Sequence, residues 1–162
     1  MYRLALVLPG NFIHNKEINM KLIYSVLLAA AAMSATSASA RDDIGKYPIQ
    51  SLLETSKAKD ALLDIPLYFA DQSYGSESSK YGEVITNKKT NAFNKSDREA
   101  CEWVMLSALK ALQERAVKEG MNAVVNIQSY YKKREFVSST EYECGAGALM
   151  AGVALKGTLV KL

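Results

Sequence analysis

Tyr130-Tyr131-Lys132-Lys133-Arg134 sets two aromatic rings beside three cations, the combination that stacks bases and holds phosphates or anchors a partner at a protein surface. Gly145, Gly147 and Gly152 have the backbone freedom of a phosphate-binding turn. The GxxxxGK[ST] order of a nucleotide loop is missing, because Lys156-Gly157 reverses it. Cys101 and Cys144 could bridge, react as thiolates or help hold a metal. With no CxxC pair and no further soft ligands to complete a zinc site, a disulfide is the expected outcome. His14 is the single histidine.

The residues before position 41 decide how much of this chemistry remains. Met20 and Lys21 open a segment whose apolar run, residues 22–33, ends at Ala38-Ser39-Ala40. A basic start, a short apolar stretch and a small-x-small end make a secretory signal peptide cut between Ala40 and Arg41. The run is shorter than the roughly 20 apolar residues that span a bilayer. Residues 1–19 do not fit the pattern. Lys16-Glu17 can be encoded by a purine-rich ribosome-binding sequence just before Met20, so 1–19 are read as an extension upstream of the true start.

Cleavage removes Arg3, Lys16 and Lys21 but only one acid, Glu17, so the 20 basic and 17 acidic residues become a mature chain of net charge +1. A nucleic-acid domain would show a clear basic excess. His14 leaves as well, which excludes Ser-His-Asp and Cys-His nucleophile systems and imidazole metal sites. Position 41 is Arg rather than Cys, so the mature N-terminus has no thiol for a lipid anchor. The expectation is a periplasmic protein, exported and unanchored, with no cofactor and no metal.

The elements that must position these residues read as one α+β domain over 41–162: a long helix on a small, mainly antiparallel sheet, preceded by short helices. Residues 41–64 predict one or two short helices, with Thr55 or Ser56 as a cap. Strands are predicted over 65–70, where Pro66 implies an edge, and over 81–86, with 87–95 as an exposed polar connection. Ser96-Asp97-Arg98-Glu99 is a capping box. The helix it opens runs to Glu119 and stops at Gly120, burying Cys101, Met105, Ala108, Leu109, Leu112 and Ala116 on one face. Strands follow over 123–131, 138–145 and 149–161, with bulges or bends suggested at Gly152 and Gly157.

Glu119-Gly120-Met121-Asn122-Ala123-Val124-Val125-Asn126-Ile127 resembles the helix-to-strand junction of the YbjQ-like heavy-metal-binding family and, as distantly, of the Rcs stress-sensor lipoprotein domain. Residues 86–97, 129–133 and 141–148 are similar to a set of small secreted proteobacterial proteins, some labelled "excinuclease ATPase subunit". That resemblance implies an α+β envelope domain. It does not carry the label's activity here, because the chain lacks a phosphate loop and cysteine-rich zinc modules. Three function classes stay open: a non-catalytic envelope interaction or ligand-binding module, a histidine-free enzyme, and a nucleic-acid-processing protein. The first is favoured, with Lys88, Lys89, Phe93, Tyr130, Lys132 and Lys133 expected to form one surface toward an envelope protein or an anionic envelope component.

Overall fold

The structure, a computed structural model, describes Arg41 and residues 43–162. The start extension, the signal segment and Ala40 lie outside the described residues. Among the described residues six strands make one sheet: β1 (Asp43–Pro48), β2 (Leu67–Phe69), β3 (Ser79–Asn91), β4 (Ala123–Ser129), β5 (Glu141–Ala146) and β6 (Met150–Lys161). Three α-helices among the same residues accompany them, α1 (Ile49–Leu53), α2 (Ser56–Ala61) and α3 (Asp97–Lys118), with one 3-10 turn at Tyr131–Lys133. The class is α+β and the sheet is mainly antiparallel, as expected. Among the described residues no helix is long and apolar enough to cross a membrane.

β6 is the spine of the sheet. Along one edge it pairs with β3 from Ser79↔Lys161 to Asn91↔Met150. The other edge is shared. β4 pairs with residues 155–160 of β6, while β5 pairs only through Gly145↔Gly152 and Ala146↔Ala151 before diverging to β1. β2 adds in parallel to β4. Pro66 precedes it at this outer edge, where a proline costs no ladder donor, and its carbonyl accepts from Val124 N at 3.0 Å.

The long helix follows from its local signals. Ser96 Oγ accepts from Glu99 N at 3.1 Å, and Gly120, at φ +72°, takes the left-handed conformation that ends a helix. The apolar stripe packs on the sheet, and burial of Met105, Leu109 and Leu112 contributes about 1.5–3 kcal/mol each. Cys101 and Cys144 form the expected disulfide from α3 to β5, with Cα atoms 5.9 Å apart and a sequence separation of 43. In the chain-entropy account a loop of that size is worth about 4 kcal/mol. Gln113, which no sequence pattern flagged, is buried in α3. It accepts from Leu63 N and donates to the carbonyls of Leu63 and Ile65 at 2.7–2.9 Å, tying the loop before β2 to the helix.

Three local expectations are corrected. Residues 43–48 are a strand, because each finds a partner in β5 and Tyr47 packs on Tyr142 with ring centroids 5.7 Å apart; the two short helices come after it, and Thr55 caps the second. Residues 87–91 continue β3, since β6 offers a pairing partner to each of them. The register shifts fall between Leu67 and Phe69 in β2, beside Tyr81 in β3 and beside Asn126 in β4, not at Gly152 or Gly157. Gly157 instead permits a close approach, as a Cβ there would lie 3.0 Å from Val124 Cγ1.

Candidate functional site

A period of two sorts the side chains of β6 onto two faces. Ala151, Val153, Leu155 and Leu159 belong to the core under α3. The opposite face, turned away from α3, divides into three zones. At the C-terminal end of β6, Val160 clusters with Ala123 and Val125 beneath Tyr68, Tyr74 and Leu162. In the middle, Lys156 Nζ lies 2.7 Å from Glu135 and 3.2 Å from Glu83, beneath the ring of Tyr130 at 5.6 Å. The hydrogen bond to Glu135 raises the Lys156 pKa above its ordinary value, burial opposes it, and Glu83 adds to it.

The third zone, where β5 turns into β6, is a cleft. Gly145 and Gly152 pair across the strands and leave a floor without side chains, over which the ring of Tyr131 closes. A Cβ on Gly145 would sit 2.0 Å from Tyr131 Oη, and one on Gly152 would sit 3.6 Å from Tyr131 Cε2 and 3.7 Å from Lys89 Cγ. The cleft holds about 430 Å³ and is lined by Arg41, Lys89, Tyr131, Gly145, Gly147, Ala148, Leu149, Met150, Ala151 and Gly152. Leu149 and Met150 are exposed apolar residues at its rim, 63% and 49% accessible.

The two cations of the cleft differ. Arg41 is ion-paired with Asp97 and, at 2.9 Å, with Asp43, and the hydrogen bond to Asp97 raises its pKa further. Lys89 makes no ion pair with any described residue. No carboxylate, thiol or imidazole lines the cleft among the described residues.

The surface expected from the sequence is thus reorganised. Lys88 pairs with Val153 and lies on the helix-covered face, whereas Lys89 pairs with Gly152 on the other; neighbours in a strand point opposite ways, so these two do not share a surface. Tyr130 belongs to the Lys156 cluster, and the ring at the cleft is Tyr131. Lys132 and Lys133, both exposed, occupy a left-handed turn at φ +53° and +61°, and Lys132 Nζ lies 5.8 Å from the Tyr131 ring. Phe93 is 58% exposed beyond the end of β3. Tyr131 and Lys89 are brought together; Lys88 is not. A sequence signal for the floor exists in hindsight, because Gly145 and Gly152 stand equally far from a turn centred on 148–149. No family model matches this chain, and no curated protein or solved structure does either.

Proposed function

We propose that this chain is a non-catalytic binding module of the cell envelope and that the cleft beside Tyr131 takes a small amphipathic anion. The observation that carries the reading is Lys89. It makes no ion pair with any described residue and lines an apolar, glycine-floored cleft of about 430 Å³, within the size range of small-molecule sites. Lys89 would hold the charged end of the ligand. The floor, the rim of Leu149 and Met150 and the Tyr131 ring would cover its apolar body, the division of labour usual in such sites. With no carboxylate, thiol or imidazole lining the cleft among the described residues, binding fits it better than turnover.

The periplasmic assignment rests on the signal pattern over 20–40, on a disulfide that persists in oxidising compartments and on the similarity to small secreted envelope proteins. Calorimetric titration of the purified 41–162 protein with 1-naphthalenesulfonate and with neutral 1-naphthalenemethanol tests the ligand class. A charge-assisted contact predicts about a tenfold preference for the sulfonate, lost in Lys89→Ser. Gly152→Val, which fills the floor, should abolish binding of both. Equal affinity for the two compounds would refute the anion. Unaltered binding by Gly152→Val would refute the cleft.

A further inference from the structure

β3 pairs with β6 on one edge only, and its other edge has no partner among the described residues. It is a strand of 13 residues, long for an edge, and an open edge of that length is a template for another strand. Its regular part starts after the register shift at Tyr81, with Gly82 at φ +130°, and continues to Asn91. Exposed Ile85, 58% accessible, lies inside this stretch.

We infer that β3 pairs antiparallel with β3 of a second copy about a two-fold axis through Thr86, joining two sheets into one. Antiparallel partners share a face, so any such axis passes through a residue and each register can be checked. An axis centred within the regular stretch passes through Thr86 or Asn87. Through Thr86, Glu83 of each copy stands opposite Lys89 of the other, Ile85 opposite Asn87, and residues 82–90 pair throughout. Through Asn87 no opposite charges meet. An axis through Val84 would set Lys80 against Lys88, a like-charge pair that destabilises a sheet.

Ala111, Glu114, Arg115 and Lys118 of α3 flank Val84, Ile85 and Thr86. Across the same axis the two α3 helices run antiparallel. Lysines on an edge strand ordinarily block pairing; here Glu83, whose carboxylate also lies 3.2 Å from Lys156 of its own copy, stands opposite Lys89 in a single register, so the charges select that register. Because Lys89 also lines the cleft, an anion bound there and Glu83 of the second copy compete for it.

The experiment uses the 41–162 protein and no ligand. Thr86→Cys places two thiols on the axis, where paired strands hold Cα atoms about 4.5–5.5 Å apart, inside the disulfide range of about 4.4–6.8 Å. Mild oxidation should link most of it as a dimer on a non-reducing gel. Ile85→Cys and Asn87→Cys, each offset from its own equivalent by two residues, should remain unlinked. Sedimentation of the unmodified chain should show a concentration-dependent dimer, and Lys89→Glu should weaken that dimer at least about tenfold, with an unchanged melting temperature at dilutions where both chains are monomeric. Cross-linking through position 85 or 87 instead of 86, a monomer at every concentration up to the solubility limit, or a dimer indifferent to Lys89→Glu would each overturn the proposal.

Discussion

The two faces of β6 are built from the same twelve residues and are covered in different ways. Toward α3 the strand presents Ala151, Val153, Leu155 and Leu159, and the helix seals them with apolar side chains. Away from α3 it presents Gly152, Lys156 and Val160, and the cover is a set of separate long side chains: Tyr131 on Gly152, Tyr130 and two carboxylates on Lys156, and Tyr68 and Tyr74 near Val160. A sealed apolar face stabilises the fold and offers nothing to a ligand. A face covered by individual side chains can open at one of them with little loss elsewhere, and the proposed binding is therefore assigned to that face.

Perturbing the sealed face should have the largest effect. Replacing both Cys101 and Cys144 by Ser should cost about 4 kcal/mol, a major share of the stability of a domain this size, read as a much lower urea midpoint. Leu109→Ala, which empties part of a fully buried site under the helix, should cost about 2–5 kcal/mol in the same assay.

Changes on the open face should be smaller and should separate neighbouring positions. Gly145→Ala cannot keep Tyr131 in place, because the new Cβ would meet its hydroxyl at 2.0 Å. The half-buried ring can swing outward, so the cost is about 1 kcal/mol, with a change in the near-UV tyrosine signal. Gly152→Ala meets only ordinary contacts, the nearest at 3.6 Å, and should change stability by less than about 0.5 kcal/mol. Lys89→Ser should be the mildest, within the few tenths of a kcal/mol typical of exposed charges, although it removes the proposed anion contact. If Gly152→Ala proved as damaging as Leu109→Ala, the distinction between the faces would fail.

The parts legible in the sequence are those whose signals are local. Ser96 with Glu99, the three-and-four spacing through Leu112, and Gly120 lie within one continuous stretch and define α3. The disulfide was legible because the chain has two cysteines and no competing use for them. β3 beyond Thr86 was not. Asn87 to Asn91 are all polar, so no alternation of apolar and polar residues marks a strand; the pairing partner that makes it one lies about 60 residues away in β6. The same long-range register assigns Lys88 and Lys89 to different faces. The cleft was hidden for a related reason: each of its glycines looks like a bulge alone, and only the pairing Gly145↔Gly152 turns them into a floor. Gln113 reads as a polar position on a helix until the loop at Leu63 and Ile65 is seen to need its amide.

The central claim is that the open face binds at the Tyr131 cleft, and amide chemical shifts report on it residue by residue. Titrating isotopically labelled 41–162 protein with 1-naphthalenesulfonate should move the amides of Lys89, Tyr131, Gly145 and residues 147–152 in a saturable way, leaving those of α3 from Val104 to Ala116 in place. Saturable shifts centred on α3 or on the Val160 end of the sheet, or no saturable shifts at all, would contradict the account.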